Sequence, residues 1–86
     1  MKDLQESRKE IDSIDSEIVS LFERRMEVCK DVAEYKLRTG KAVLDRQREL
    51  DKIKTLKNKA SSDFYAHGVE ELFEQIMAMS RKMQYK

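Results

Sequence analysis

The stretch FERRMEVCKDVAEYK, residues 22–36, decides the fold of this 86-residue chain. One helical face runs through it and back toward the N-terminus, and it carries Ile18, Leu21, Phe22, Cys29 and Val32. Arg25 and Lys36 interrupt this apolar face. Residues eleven positions apart return to within about 20° on an α-helix, so both cations point the same way, about 16 Å apart along the axis. The pattern therefore predicts an inward helix face that carries two positive charges.

The composition is rich in charge for a chain this short. Apolar residues make up 40% and charged residues 41%, whereas the formal net charge is only +1. A chain of this length lies near the lower limit for a self-sufficient hydrophobic core, so we expect association between chains. The small net charge provides no overall attraction to nucleic acid or to a membrane surface.

Cys29 is the single cysteine, so no intramolecular disulfide can form. Its position on the apolar helix face favours a small buried hydrophobe over a nucleophile. No segment resembles a secretory signal, and no apolar run is long enough to cross a bilayer. We therefore expect a reducing, cytoplasmic setting.

The residue types predict an all-α fold in one domain, residues 1–86. Proline and strand-like alternation are absent, and strong helix formers fill the periodic segments. Helix 1 is predicted over residues 3–38, and Gly40 is predicted to end it in the left-handed conformation. Such a helix spans roughly 50 Å, so we expect a partner chain along part of its length.

Helix 2 is predicted to begin near Leu44 or Asp45, because a carboxylate suits a helix N-terminus. Its apolar face consists of Leu50, Ile53 and Leu56.

The polar connection KNKASSD, residues 57–63, separates helix 2 from helix 3. Ser62 or Asp63 can cap helix 3, which is predicted over residues 64–85. Gly68 lies near its start and is interpreted as a local weakness rather than a break.

Helices 2 and 3 also carry polar side chains where the helical period places the interior. Asp45, Arg48 and Glu49 follow the spacing i, i+3, i+4, so all three can border one patch. Ser80 and Gln84 replace apolar residues at the end of the helix 3 face. Singly, each has an ordinary interpretation as a helix cap, a solvated charge or a small residue at a helix crossing. Together, an excess of inward cations over carboxylates predicts a pocket for a small dianion, because unpaired buried charge is costly.

The ordered set of these residues resembles the all-helical (AroQ-type) class of chorismate mutases. The resemblance covers residues 4–84 and rests on Arg8, Ile11-x-x-Ile14-Asp15, Glu23-Arg24-Arg25-Met26, Lys36, Asp45-x-x-Arg48-Glu49 and Ser80-x-x-x-Gln84. It implies three helices per chain in an intertwined six-helix homodimer, whose two active sites are each completed by the first helix of the other chain. Helical geometry fits a shared site, because Arg8 lies about 25 Å from Arg25 along helix 1, too far to bind the same ligand within one chain.

The resemblance implies which residues bind the two carboxylates of chorismate. Arg25 and Arg8 of the partner subunit would bind the two carboxylates. Arg48 would support the side of the ring carboxylate, and Ser80 would line the same region.

The resemblance also implies which residues bind the rest of the substrate. Lys36 and Gln84 would donate hydrogen bonds to the ether oxygen, whose bond to carbon breaks. Glu49, helped by the segment at Asp45, would hold the ring hydroxyl. Lys36, Gln84 and Arg25 would thus be the catalytic residues.

The implied reaction is the intramolecular Claisen rearrangement of chorismate to prephenate, in phenylalanine and tyrosine biosynthesis. It requires no nucleophile, proton transfer, metal or other cofactor, and the sequence offers no metal-ligand cluster; His67 is expected at the surface. The chemistry needs a folded dianionic substrate and donors aimed at charge that develops on the ether oxygen. The substrate would then account for the inward cations Arg25 and Lys36.

Two other functions compete with this interpretation. An isochorismate pyruvate lyase of the same fold also needs cations around a dicarboxylate, and the position of Glu49 for a ring hydroxyl favours the mutase. A non-catalytic helical dimerisation module would gain stability, or lose none, when the inward cations are replaced by apolar residues. Nucleic-acid binding is disfavoured because no basic stripe with interleaved aromatic residues is present.

Overall fold

The described residues form three α-helices and contain no strand. The computed structural model describes residues 3–41 and 45–84, the last of them through its backbone only. α1 spans Leu4–Thr39, α2 spans Arg46–Lys57 and α3 spans Asp63–Gln84. The predicted all-α class and the predicted helices are thus confirmed. Leu44, one of the two predicted starts of helix 2, lies outside the described residues.

Both ends of α1 carry the residues that its termini require. Asp3 is the N-cap, and its carboxylate accepts a hydrogen bond from the backbone N–H of Glu6 at 2.8 Å. At the other end Gly40 has φ 73° and ψ 14°, the left-handed conformation, and its N–H donates to the carbonyl of Lys36. Gly40 therefore stops α1 as predicted, because residues with a Cβ are strained in this conformation.

Side-chain caps also begin the two following helices. The carboxylate of Asp45 accepts a hydrogen bond from the N–H of Arg48 at 3.0 Å at the start of α2. Ser62 Oγ accepts one from the N–H of Tyr65 at 3.2 Å at the start of α3. Asp63, the alternative candidate for this cap, is the first residue of α3. Each cap satisfies a backbone donor that the first helical turn leaves unpaired.

α3 is the helix that holds the other two together. It packs against both α1 and α2, whereas no Cα of α1 lies within 8 Å of a Cα of α2 in the described residues. The buried apolar residues, drawn from all three helices, are Met26, Ala33, Ile53 and Met77. Among the described residues, α3 is therefore the element that bridges α1 and α2.

An ion pair at the surface also joins α2 to α3, between Lys57 and Glu70. The hydrogen bond and the charge of Lys57 hold the pKa of Glu70 below its ordinary value. A lowered carboxyl pKa adds stability above the unfolded-state pKa, and this stability is lost as the pH falls through the folded-state pKa. Because the pair is exposed to solvent, its contribution is small.

Most of the apolar face of α1 is uncovered in the single chain. Six apolar residues in its first half are more than half exposed: Leu4, Ile11, Ile14, Ile18, Val19 and Leu21. The predicted burial is wrong at Val32, which is 41% exposed at the cleft wall. For the single chain, it is also wrong at Ile18 and Leu21, in the first half of α1. The cause is length: the 36 residues of α1 extend about 54 Å, whereas the 22 residues of α3 extend only about 33 Å.

The two glycines offer a matched test of the end of α1. We expect Gly40→Ala to lower the free energy of unfolding by about 1–2 kcal/mol, because positive φ strains a residue with a Cβ. No atom lies within 4 Å of that Cβ, so the effect comes from the backbone alone. Gly68 lies inside α3, also with open space around it, so Gly68→Ala should raise the free energy of unfolding by up to about 1 kcal/mol. Urea denaturation measures both, and shifts of the same sign would contradict the assigned conformation of Gly40.

Candidate active site

A cleft of about 300 Å³ lies between α1 and the start of α2, with α3 at its base. α1 contributes Arg25, Val28, Cys29, Val32 and Lys36 to its wall. The N-cap and first turns of α2 contribute Asp45, Arg48, Glu49 and Lys52, and α3 contributes Met77 and Ser80. Six of the eight predicted site residues thus lie in one cleft.

Arg25 is held in this cleft by neutral atoms. One guanidinium nitrogen donates to Ser80 Oγ at 3.0 Å and lies 3.7 Å from Cys29 Sγ, and the other lies 3.7 Å from Met77 Sδ. Ser80 is only 6% exposed, and its hydroxyl in turn donates to the carbonyl of Ile76 at 2.9 Å. Within the described residues, no carboxylate pairs with Arg25. Its positive charge is therefore oriented but not neutralised.

Cys29 differs from its sequence interpretation in one respect. It is only partly buried, and it forms part of the cleft wall beside Arg25 and Ser80. The apolar neighbours Val28 and Val32 extend this wall along α1. The α1 wall therefore places apolar side chains between the cations Arg25 and Lys36, and such surroundings strengthen electrostatic interactions with a ligand that displaces water from them.

Glu49 brings a carboxylate into the same cleft, and two arginines bind it. Arg46 donates to Oε1 of Glu49 at 3.1 Å, and Arg81 of α3 donates to the same atom. The side chain of Glu49 is only 15% exposed. The carboxylate is thus neutralised by arginines outside the cleft lining, so it does not cancel the charges of the cations inside.

The start of α2 places the predicted triplet on one edge of the cleft. Asp45, Arg48 and Glu49 all line it, which confirms that their helical spacing puts them on one patch. Asp45 also serves as the helix cap, as one interpretation of the sequence expected. Arg48 both lines the cleft and is exposed in the single chain.

The other two predicted site residues are not part of this cleft as the structure describes it. Arg8 is an exposed residue of α1, seventeen positions before Arg25, and does not line the cleft. Gln84 is the last residue of α3, which places its backbone one helical turn beyond Ser80, whereas its side chain lies outside the described part.

Three basic residues near the site were not predicted from the sequence. Lys52 lines the cleft, and Arg46 and Arg81 bind Glu49. The position of Lys52 four residues after Arg48 is a helical signal that could have identified it. Arg46 lies three residues before Glu49 on the same helix, so the spacing i, i+3 could have identified that pair. Arg81 carries no such signal, because a local charge pattern does not reveal which carboxylate of another helix is close.

The charge of the cleft defines what it can bind. Its lining holds four basic side chains, Arg25, Lys36, Arg48 and Lys52. It holds only two acidic ones, and one of these, Glu49, is already paired with arginines outside the lining, so positive charge is in excess. The described residues contain no group of three His, Cys, Asp or Glu side chains placed to hold a metal ion. None of the described helices is long and apolar enough to cross a membrane. The arrangement suits a small organic dianion held by charge-assisted hydrogen bonds.

The chain has an all-helical fold around a small cleft with excess positive charge, and comparison with known proteins gives its family. Residues 7–85 match the family model described as chorismate mutase type II. A protein named chorismate mutase, from Methanocaldococcus jannaschii, is 43% identical over 56 residues. That alignment covers 62% of this chain and 57% of the relative, so the chain matches little more than half the relative's length. The chain belongs to the chorismate mutase type II family, which confirms the resemblance found in the sequence.

Proposed function

We propose that the protein is a chorismate mutase, an isomerase that converts chorismate to prephenate in phenylalanine and tyrosine biosynthesis. Membership of the chorismate mutase type II family supports this proposal. The observation that carries it is the state of Arg25, whose guanidinium is fixed in the cleft by Ser80 and has no carboxylate partner among the described residues. A binding site for a dianion requires such a charge, whereas a structural arginine normally acquires an acidic neighbour.

The rearrangement breaks the ether C–O bond and forms a new C–C bond within one molecule, so no atom leaves and no proton moves. Catalysis then consists of holding the substrate in its folded conformation and stabilising negative charge on the ether oxygen. Arg25 and Arg48 hold carboxylates, and Lys36 donates a hydrogen bond to the ether oxygen. A hydrogen-bond donor that binds the transition state more strongly than the ground state lowers the barrier, whereas one that binds both states equally well does not.

The remaining site residues complete the recognition of the substrate. Gln84 gives the ether oxygen its second donor. Glu49, supported by the capped turn at Asp45, accepts a hydrogen bond from the ring hydroxyl. Ser80 holds Arg25 in position for the carboxylate that it binds.

A second copy of the chain completes each site. The uncovered apolar residues in the first half of α1 favour pairing of this helix with another chain, because exposed apolar surface of this extent is unusual in a monomer. The same half of α1 carries Arg8, about 25 Å along the helix from Arg25. In an intertwined homodimer, Arg8 of the partner subunit therefore supplies the guanidinium that the cleft of one chain lacks.

The direct test of the reaction is an assay of the purified protein with chorismate, followed by ultraviolet absorbance and chromatography of the product. We expect chorismate to disappear and prephenate to form without added metal or cofactor. Release of pyruvate from isochorismate, without conversion of chorismate, would instead identify the lyase of the same fold. A protein that converts neither substrate would be a helical dimerisation module.

Substitution of the proposed substrate cations should abolish most of the activity. Arg25→Ala, Lys36→Ala and Arg8→Ala should each lower kcat/KM by at least about a hundredfold, because each removes a charge-assisted hydrogen bond from the transition state. The matched controls are the adjacent exposed residues, and Arg24→Ala and Lys9→Ala should retain wild-type activity. Helical circular dichroism checks that every variant is folded. Equal activity of Arg25→Ala and Arg24→Ala would contradict the assignment of Arg25.

A carboxyl group at position 84 should make the reaction dependent on pH. An amide donates a hydrogen bond at any ordinary pH, whereas a carboxyl group donates only when it is protonated. We expect Gln84→Glu to be active at acid pH and to lose activity as the pH rises through the pKa of the new carboxyl group. Wild-type protein over the same pH range is the control, and a variant profile parallel to it would show that residue 84 does not contact the ether oxygen.

A further inference from the structure

Ser80 and Arg81 are consecutive residues of α3, and each contacts a different wall of the cleft. Ser80 accepts the hydrogen bond of Arg25 from α1, whereas Arg81 binds the carboxylate of Glu49 from α2. α1 and α2 have no direct packing contact in the described residues. This one turn of α3 therefore sets the position of the cleft's cation relative to its carboxylate.

The two arginines that bind Glu49 both contact the same oxygen atom. Arg81 and Arg46 each donate to Oε1, the latter at 3.1 Å. The other oxygen, Oε2, accepts no hydrogen bond from the described residues. Every buried side-chain oxygen in this part of the chain has a hydrogen-bond partner, so an oxygen without one is not buried. Oε2 is therefore accessible to solvent or to a ligand. Glu49 lines the cleft. One oxygen is thus fixed, and the other is left to accept a hydrogen bond from a ligand.

Arg81 is the better placed of the two arginines to control this carboxylate. Its side chain is 30% exposed, whereas that of Arg46 is 61% exposed, and Glu49 itself is 15% exposed. Ion pairs that are partly shielded from water are screened less than exposed ones, and their geometry is better defined. Arg46, one turn from Glu49 on the same helix, adds an exposed contact of the ordinary surface kind.

We propose that Arg81 is a positioning residue, which fixes the carboxylate of Glu49 so that Oε2 accepts the hydrogen bond of the substrate's ring hydroxyl. The proposal rests on the proposed function of the cleft. Arg81 does not line the cleft, so it acts through Glu49 and not by contact with the substrate. Its loss leaves Glu49 with the exposed contact to Arg46 alone, and the carboxylate then rotates among several orientations.

The test compares chorismate with an analogue that lacks the ring hydroxyl. Arg81→Met should lower kcat/KM for chorismate roughly ten- to a hundredfold, the factor that corresponds to a hydrogen bond to a charged group. The same variant should convert the analogue as well as the wild type does, because Glu49 has no hydroxyl to bind there. Lys82→Met removes an exposed cation from the same turn of α3 and should leave both substrates unaffected.

Arg81→Lys provides a second variant that keeps the positive charge but not the guanidinium geometry. It should show a smaller loss than Arg81→Met, again for chorismate alone, and it serves the comparison if the methionine variant does not fold. Equal losses of kcat/KM for chorismate and for the analogue would show that Arg81 only stabilises the fold. An undiminished kcat/KM for chorismate would show that Arg81 has no role. Either result overturns the proposal. A wild-type protein that does not rearrange chorismate would instead disprove the proposed function.

Discussion

The hydrogen bond between Arg25 and Ser80 is the interaction on which the chemistry of the cleft depends. It satisfies a guanidinium group inside a partly buried site without neutralising its charge, because the acceptor is a hydroxyl and not a carboxylate. The hydroxyl is available in that orientation because Ser80 also donates to the carbonyl of Ile76 in the preceding turn. A carboxylate at position 80 would hold Arg25 more tightly, but it would cancel the charge that a dianionic substrate needs.

The helix that carries Ser80, α3, also aligns the two walls of the cleft. α3 packs on both of the others, and its consecutive residues Ser80 and Arg81 contact α1 and α2 respectively. The gap between α1 and α2 can therefore stay open for a ligand without loss of alignment between its two walls. The hydrophobic core of the single chain is small, and the apolar residues in the first half of α1 are exposed. We expect such a fold to gain stability from association, and in the proposed homodimer the surface that stabilises the pair also brings Arg8 to the site.

The sequence predicted the helices well because their ends are set by local chemistry. Gly40, Asp45 and Ser62 each act on backbone groups within four residues of themselves, so their roles can be read without knowledge of the tertiary structure. The grouping of Arg25 with Lys36, and of Asp45 with Glu49, followed from helical spacing for the same reason. The family resemblance supplied the roles in substrate binding, which spacing alone leaves open.

The ion pair between Glu49 and Arg81 could not be predicted in this way. Glu49 and Arg81 are thirty-two positions apart, and nothing near either residue indicates that α3 brings them together. The predicted burial of Ile18 and Leu21 was wrong for a related reason. Helical periodicity identifies the apolar face of α1, but it does not show whether the other helices of the same chain are long enough to cover that face. Both misses concern distances between helices, whereas the successes concern distances within one helix.

The central claim is that cations from two copies of the chain enclose one dianionic substrate, and mixed dimers test it most directly. When Arg8→Ala and Arg25→Ala chains are refolded together, each mixed dimer contains one site with both substitutions and one site with neither. Two nearly inactive proteins should then recover about a quarter of the wild-type activity, because about half of the dimers are mixed and each has one intact site. If the mixture remains as inactive as its components although mixed dimers are present, the two arginines do not share a site and the account is wrong.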